Sequence, residues 1–352
     1  MRVFISDTSI ILPEVYDVEF LIDKIYPVEK VGERTNRLLH KLSRSVGIKK
    51  KPLVFDIDRA PEIVLKKPEY HPLNWGKEII ERFASKVGRE NIGFLSVSYN
   101  ITFNQDYLPN LASQLVMETG LKTDLPPEEL PFYGCASGIY SLKSAVDYCR
   151  KYGKAAVVFT FDQCSRISYF TYDENDPFFK KTLKSYFLFS DGAAGILVVP
   201  ENLLEKTGGR AVEIEEIKLH YTPGDAIKME EGKFILKNEL KDVVPPIVAG
   251  EVIKPVLTKY GLGPESVDEW ALHQGGFAIL EKFLDRDILG LSRHQIKDAW
   301  ELLEMYGNFS SPSCFFVFDR FFKKEEEKKG KRGMIVGFGA GYYMGAALYR
   351  WV

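Results

Sequence analysis

Residues 130–152 constrain the fold more than any other part of the chain. A short apolar run ends at Gly134, Cys135 follows at once, and apolar residues then recur three and four apart as far as Cys149, which is the period of a helix. The segment predicts a strand, a tight turn and a helix, with a thiol where the helix starts. The positive end of a helix dipole favours a thiolate there, although a free cysteine is more commonly a small buried hydrophobic residue.

Strand and helix patterns alternate on both sides of this segment. Apolar, β-branched runs predict strands near residues 3–13, 92–98, 155–160, 211–217 and 269–272, and helical spacing predicts helices near 75–87, 108–120, 243–260 and 312–322. Alternation of this kind is typical of an α/β sheet with helices packed on its faces. The polar segment 201–209, which ends in two glycines, is the predicted boundary between two halves.

Two further positions have the chemistry of a site. His273 follows a short apolar run and precedes helical spacing that begins at Phe277, so it lies where a strand gives way to a helix, as Cys135 does. Asn308 lies in a turn-rich passage before the helix near 312–322. The dipeptide Asp191-Gly192 stands between two apolar runs, and by default it predicts a hairpin turn.

Composition limits the classes of partner. The net charge of -2 provides no electrostatic footprint for nucleic acid or an anionic membrane. The N-terminus lacks the pattern of a signal peptide, and no apolar run approaches the roughly 18 residues of a membrane span, so we expect a cytosolic protein. The four cysteines have no metal-ligand spacing and are expected to be reduced.

Two clusters of charge are interpreted as solvated segments. The triplet Lys49-Lys50-Lys51 predicts an exposed loop, with a landing point for an anionic substrate handle as the alternative. The run 323–332 predicts a solvated helix end and loop. The glycines at 337, 339 and 341 suit a close approach of another backbone, whereas a nucleotide motif is rejected because no P-loop lysine accompanies them.

Cys135, His273 and Asn308 form one coherent chemical set if they meet in space. A thiolate can accept an acyl group, while a neutral imidazole N–H and a carboxamide N–H can donate to an oxyanion that develops on a thioester. Residue types alone leave open the duller alternatives of a core cysteine, a core or surface histidine and a turn-forming asparagine.

The sequence resembles a known family at these residues. It is similar to the thiolase-fold condensing enzymes, specifically the β-ketoacyl-ACP synthase III branch, with features of chalcone-synthase-like polyketide synthases. The matching segments occur in the family's order at 133–138, 189–194, 273–276, 306–311 and 337–341, and 45–50 resembles a further basic segment. The resemblance implies a five-layered α-β-α-β-α fold of two similar halves, 1–205 with the cysteine and 206–352 with the histidine and asparagine, and a homodimer.

The resemblance also implies a reaction. Cys135 would take an acyl group from an acyl-CoA primer. His273 and Asn308 would then hold malonyl-ACP while it loses carbon dioxide, and the resulting enolate would attack the acyl-enzyme to give 3-oxoacyl-ACP, the initiating step of fatty acid biosynthesis. Backbone groups of Cys135 and of Gly339, Ala340 and Gly341 would form a second oxyanion hole. Acyl-CoA and acyl carrier protein are the implied partners, with no cofactor and no metal.

Several positions depart from the synthase III pattern. The tryptophan that clamps the adenine of CoA is missing near His40 and Lys41, and the arginine of that region is shifted to Arg44. Arg166 is the counterpart of a second CoA-contacting arginine, and Phe189 is a further predicted substrate-binding residue. Gly275-Gly276 after His273-Gln274 is the polyketide-synthase form, and Ala340 interrupts a turn that is usually all glycine.

These departures leave other functions open. One is a polyketide-synthase-like enzyme, or another acyltransferase of the same fold, that acts without acyl carrier protein. A role like that of HMG-CoA synthase is disfavoured because residues 96–103 contain no carboxylate. A non-catalytic subunit is also disfavoured, because Cys135, His273 and Asn308 are all present. The residues of a tunnel that would select the acyl chain are expected on the loops 99–107 and 169–186. The dense aromatics there are interpreted as core packing, with a gate as the alternative.

Overall fold

A computed structural model describes residues 1–237 and 239–352. The strands, numbered β1 to β13 in chain order, are Val3–Ile11, Val15–Asp17, Lys50–Pro52, Ile92–Tyr99, Glu128–Pro131, Ala155–Gln163, Asp191–Pro200, Val212–Tyr221, Ile227–Glu230, Lys233–Leu236, Glu269–Leu272, Arg332–Phe338 and Tyr343–Trp351. The helices, α1 to α11, are Val18–Ile25, Val28–Val46, Pro72–Val87, Leu111–Thr119, Ser137–Tyr152, Phe179–Leu188, Leu240–Val248, Lys254–Lys259, Phe277–Lys282, Lys297–Tyr306 and Ser313–Lys323.

Nine strands are joined in the order β11-β12-β13-β8-β1-β7-β6-β4-β5, and they contain one pattern twice. In the first set β1 and β6 both run antiparallel to β7, and β4 runs parallel to β6. In the second set β8 and β12 both run antiparallel to β13, and β11 runs parallel to β12. Two strand sets of the same topology therefore account for eight of the nine strands in this sheet.

Helices separate and flank the two strand sets. Helix α5 contacts strands of both sets and α11 contacts β1, β11 and β12, so these two helices form a middle layer. Helix α3 packs on the outer face of the first set, with α4 against it, and α8 packs on the outer face of the second. The predicted five-layered α/β fold is confirmed. The division at residues 205 and 206, which falls in the 3-10 segment Glu201–Thr207 between β7 and β8, stays a prediction.

The apolar period of residues 139–149 explains why α5 occupies the middle layer. Ile139, Leu142, Ala145 and Val146 are fully buried against strands on both sides, and the helix ends at Gly153 in the left-handed conformation that favours glycine. Burial of this face fixes the first turn of the helix, and with it the position of Cys135.

Predictions from local pattern were wrong at three positions, while the rest of both charged clusters is exposed or half-buried. Asp191-Gly192 forms no hairpin turn, because Asp191 is the first residue of β7 and its buried carboxylate accepts hydrogen bonds from the backbone of Val54 and Ser165. Lys51 is buried rather than in a solvated loop, since its ammonium donates to the carbonyls of Tyr186 and Phe189. Lys328, within the charged run, is also buried.

The burial of Lys328 has a definite partner. Its ammonium lies 2.7 Å from Glu269 Oε1 and 2.6 Å from the Phe321 carbonyl. The other oxygen of Glu269 accepts from Tyr349 Oη at 2.6 Å and Trp351 Nε1 at 2.9 Å. This buried group of four side chains ties the charged run to β11 and β13. None of the helices in the described parts of the chain combines the length and apolar character that a bilayer span requires.

Candidate active site

Cys135 lies in a 3-10 turn, Gly134–Ala136, between β5 and α5. The chain leads into this turn through Phe132, with φ 68°, and Gly134, with φ 58°, and both residues have the left-handed backbone conformation. A methyl group on Gly134 would lie 2.4 Å from the Ala340 nitrogen, so glycine is required both by the backbone conformation and by the close approach of a second loop. The predicted strand, turn and helix around the thiol are confirmed.

The Cys135 thiol is buried, with 7% of the residue exposed. Burial raises the pKa of the thiol to about 12, and a contact with Ser310 opposes this rise. The sulfur lies 3.4 Å from Ser310 Oγ. Cys135, Ser310 and Ala340 line a mostly apolar cavity of about 560 Å³, so the thiol has space beside it for an acyl group.

His273 follows β11, as predicted, and its backbone N–H donates to the Val336 carbonyl at 2.9 Å. A methyl group on the next residue of β12, Gly337, would lie 3.5 Å from the Cys135 carbonyl oxygen. The pairing of β11 with β12 therefore places the backbone of His273 beside the strand that contacts the nucleophile turn. The ring meets Phe338 edge to face at 4.9 Å. Burial lowers the pKa of His273 to about 3, so the imidazole is neutral at physiological pH.

Asn308 lies in the loop between α10 and α11. Its backbone is fixed by two hydrogen bonds, from Asn308 N to the Leu188 carbonyl at 2.8 Å and from Ser190 N to the Asn308 carbonyl at 2.9 Å. Its side-chain Oδ1 accepts from Ser310 N at 2.7 Å and Ser313 Oγ at 3.1 Å. Because these donors occupy the oxygen, the amide NH₂ is the group left to face a substrate.

The loop 339–341 packs directly on the nucleophile turn. A methyl group on Gly339 would lie 2.1 Å from the Cys135 nitrogen, which explains the glycine there. Gly339 N donates to the Tyr343 carbonyl at 3.0 Å, so its N–H is occupied. Ala340 lines the cavity, and Gly341 at φ 71° turns the chain away. Of the three loop residues, Ala340 is therefore the one that borders the cavity.

Sequence reasoning assigned no role to a polar network behind the thiol. Asp162 is fully buried and accepts from the backbone of Asn100 and Ile101 at 2.7 Å, and from Ser311 N at 2.9 Å. Asn100 Nδ2 lies 3.0 Å from Asp162 Oδ2 and 3.3 Å from Ser310 Oγ. In the sequence, only the two serines that follow Asn308 pointed to this network. Asn100 and Asp162 contact these serines across more than 140 residues of chain, so no local pattern could have identified them.

The structure brings two of the three predicted substrate-binding residues together and leaves the third, Arg44, elsewhere. Arg166 and Phe189 line the cavity beside Cys135, as do residues of both aromatic segments where the tunnel was expected, from Tyr99 to Tyr107 and from Tyr169 to Tyr186. Arg44 lies on the surface of α2, where it pairs with Glu19 at 2.9 Å, and it is absent from the cavity lining. Its assignment to substrate has no support from its position.

A second cavity, of about 480 Å³, lies on the other side of residues 186–189. Gly275 and Gly276, which follow His273, line it, and so do four lysines and one carboxylate, Lys180, Lys184, Lys237, Lys241 and Glu281. Lys237 is paired with Asp225 at 2.7 Å. The other three lysines are exposed at the rim, so this cavity presents a net positive charge.

The five layers and the repeated strand pattern are those of the thiolase-like fold, and solved structures share this fold. The chain superposes on polyketide synthase PKS-I of the brown alga Ectocarpus siliculosus with a TM-score of 0.75 and 21% identity, covering 100% of this chain and 98% of that one. It superposes on the C-terminal type III polyketide synthase domain of Steely1 from Dictyostelium with a TM-score of 0.72 and 19% identity, covering 99% of each.

Sequence relatives lie in the same class. The chain is 27% identical over 248 residues to the α-pyrone synthesis polyketide synthase-like Pks18 of Mycobacterium tuberculosis, covering 68% of this chain and 61% of that protein. It is 24% identical over 254 residues to 3,5-dihydroxyphenylacetyl-CoA synthase of Amycolatopsis orientalis, covering 69% and 65%. The aligned part thus spans less than two thirds of these relatives' length.

The C-terminal part also matches a family model. Residues 257–351 match the model described as 3-oxoacyl-(acyl-carrier-protein) synthase III, C terminal. The resemblance to thiolase-fold condensing enzymes is thereby supported, while the sequence relatives described above are a polyketide synthase-like protein and a CoA-thioester synthase rather than ACP-dependent synthases. The prediction of a synthase III that uses acyl carrier protein is not confirmed.

Proposed function

We propose that this protein is an acyl-CoA-primed, decarboxylating condensing enzyme of the type III polyketide synthase kind, with Cys135 as the acyl carrier. The observation that carries the proposal is the place of Cys135 at the wall of a mostly apolar cavity of about 560 Å³, linked through Ser310 to Asn308. The similarity to Pks18 and to 3,5-dihydroxyphenylacetyl-CoA synthase favours CoA over acyl carrier protein as the carrier of the extender unit.

In the first half-reaction the Cys135 thiolate attacks the carbonyl of the acyl-CoA. The bond to the Cys135 sulfur forms, the bond to the CoA sulfur breaks, and CoA leaves as a thiolate that takes up a proton. We infer that the backbone N–H groups of Cys135 and Ala340 hold the oxyanion, and the occupied N–H of Gly339, which is bonded to the Tyr343 carbonyl, supports this choice within the loop. Fixed donors of this kind stabilise such a charge strongly in a site that excludes water.

In the second half-reaction His273 and Asn308 hold the thioester carbonyl of a malonyl unit. The imidazole is neutral because its pKa is lowered to about 3 by burial, so it donates a hydrogen bond without carrying charge. The amide of Asn308 donates from Nδ2, because Oδ1 is occupied by Ser310 and Ser313. Loss of carbon dioxide leaves an enolate that these donors stabilise, and the enolate carbon attacks the acyl carbonyl on Cys135. The new carbon–carbon bond forms, the bond from the acyl carbon to the Cys135 sulfur breaks, and the Cys135 thiolate is regenerated as the 3-oxoacyl thioester leaves.

The second cavity suits the carrier end of the substrate. The positive charges of Lys180, Lys184 and Lys241 complement the negative phosphates of CoA. Gly275 and Gly276 also line this cavity, so it lies next to the segment that contains His273. Glu281 is the acidic residue that faces the lysines. This cavity replaces Arg44 as the proposed site for the phosphates, and it leaves Arg166 and Phe189 as proposed contacts of the acyl chain.

We also propose that two copies pair along β5. This strand is the last of the sheet and is bonded on one side only, and the segments around it expose large apolar side chains, with Leu108 94%, Met117 72% and Phe132 72% exposed. An unpaired edge beside apolar surface is a common place for self-association. Light scattering is expected to give twice the chain mass, and Leu108→Asp is expected to reduce it.

Intact-protein mass spectrometry after mixing with a panel of acyl-CoAs tests the function. We expect one acyl increment on the wild type and none on Cys135→Ala. Cys164→Ala is the matched control, because Cys164 is a second buried thiol that lines the same cavity. The Cys164→Ala protein should still take up the acyl group. A wild type that no acyl-CoA labels contradicts the proposal.

The match of residues 257–351 to the synthase III family makes an ACP-dependent synthase the second candidate. Parallel reactions of the acylated enzyme with malonyl-CoA and with malonyl-ACP separate the two. The proposal expects release of carbon dioxide and product formation with malonyl-CoA alone. Turnover with malonyl-ACP only would favour initiation of fatty acid synthesis instead.

A further inference from the structure

The hydrogen bonds around Ser310 have a defined direction. Asn100 Nδ2 lies within bonding distance of the Gly134 carbonyl, at 3.1 Å, and of Asp162 Oδ2, at 3.0 Å. A carbonyl has no hydrogen to give, and Asp162 already accepts from three backbone N–H groups, so both require the nitrogen of the Asn100 amide to face them. The same nitrogen then faces Ser310 Oγ at 3.3 Å.

The two hydrogens of this amide serve the Gly134 carbonyl and Asp162, so its longer contact with Ser310 Oγ is a shared, weaker one. Because an amide nitrogen accepts no hydrogen bond, the Ser310 hydroxyl does not donate to Asn100, and its hydrogen is left for the Cys135 sulfur at 3.4 Å. The position is enforced by an uncommon backbone. Ser310 adopts φ 62°, is 4% exposed, and its N–H is held by Asn308 Oδ1. A non-glycine residue in the left-handed region at a buried place persists only where the surroundings fix it.

We propose that Ser310 is a positioning residue that donates its hydroxyl hydrogen to the Cys135 thiolate, and that Asn100, held by Asp162, sets the direction of that hydroxyl. The Cys135 proton leaves to solvent when the thiol ionises. Ser310 keeps its hydrogen and forms no covalent bond. The proposal rests on the role of Cys135 as the acyl carrier, and it adds a means of ionising a thiol whose burial opposes the thiolate.

The test is the rate of alkylation of Cys135 by iodoacetamide as a function of pH, followed on the Cys135 peptide by mass spectrometry. Ser310→Gly is the main variant, because glycine accepts a positive φ and only the hydroxyl is lost; Ser310→Ala is the second. A hydrogen bond to a charged group contributes enough that we expect the alkylation rate at neutral pH to fall at least about tenfold. The plateau of the rate at high pH should be unchanged.

Two further variants sharpen the result. Asn100→Ala is expected to move the alkylation profile in the same direction by a smaller amount, because the hydroxyl remains but loses its orientation. Ser43→Ala removes a buried hydroxyl that donates to the His40 carbonyl within α2 and leaves Ser310 and Asn308 in place, so its profile should match the wild type.

An unchanged profile in Ser310→Gly, or a rate that falls equally at every pH, would overturn the proposal, since the second result indicates only a displaced or less accessible sulfur. Alkylation needs no acyl-CoA, so the outcome is separate from the labelling experiment. A wild type that shows the Ser310-dependent profile and yet takes up no acyl group would refute the proposed function alone.

Discussion

Replacement of Gly134 by alanine is expected to damage both the stability and the chemistry of this protein. Gly134 stands at φ 58°, where an L side chain costs about 1–2 kcal/mol. The new methyl would also lie 2.4 Å from the Ala340 nitrogen, 2.9 Å from the Ala340 oxygen and 3.0 Å from the Gly339 carbonyl carbon. All three are backbone atoms that cannot rotate away, and overpacking of this sort costs about 1–3 kcal/mol more.

Gly120→Ala is the matched control for this variant. Gly120 has nearly the same backbone, φ 65°, and nothing lies within 4 Å of a methyl group placed there. It therefore carries the conformational cost without the contact. Urea unfolding should show Gly134→Ala less stable than Gly120→Ala by about 1–3 kcal/mol.

The same pair separates stability from function. The contact in Gly134→Ala pushes the nucleophile turn away from the loop at 339–341, and a displacement near 1 Å at a reacting group can cost about 100-fold in rate. Acylation of Cys135 by acyl-CoA should fall by that order, while Gly120→Ala acylates normally. Equal unfolding free energies in the two variants, with normal acylation in both, would refute the argument that these two loops are in fixed contact.

Two other predictions concern buried ionisable groups. Burial lowers the pKa of His273 to about 3, so between pH 3 and the ordinary value of 6.5 the unfolded chain binds more protons than the folded chain. In urea unfolding, the wild type should therefore lose stability relative to His273→Gln as the pH falls from 6.5 toward 3. An equal loss of stability in both proteins would contradict this. Lys328→Met leaves Glu269 without its buried cation and should cost about 3–5 kcal/mol. Lys328→Met with Glu269→Gln should be more stable than Lys328→Met, and a double variant no more stable than the single one would show that the lost charge pairing is not the cause.

Local pattern was sufficient for much of the fold and for the place of the thiol. The helical period of residues 139–149 and the glycines at 134 and 138 are properties of neighbouring residues, and they identify the turn at Cys135. The pattern failed where a distant group decided the outcome. Lys51 lies in a basic triplet, yet its ammonium is taken up by carbonyls of Tyr186 and Phe189, and charge density along the chain contains no information about them.

The candidate site shows the same division. His273 was predicted where a strand gives way to a helix, and it directly follows β11, because this short apolar run ends at Leu272. No neighbour of Asn100 indicates that its amide lies between Asp162 and Ser310, which are 62 and 210 residues away. Roles that depend on contacts of this length become visible only once the strand sets have been assembled.

The repetition of the strand pattern bears on how shortened forms of this chain should be interpreted. Cys135 precedes the third strand of the first set, and Asn308 precedes the third strand of the second, so equivalent turns carry different chemical groups. A product that stopped after β7 would keep an alkylatable sulfur while lacking both the imidazole and the carboxamide. Thiol reactivity in such a fragment would be no guide to whether it can condense anything.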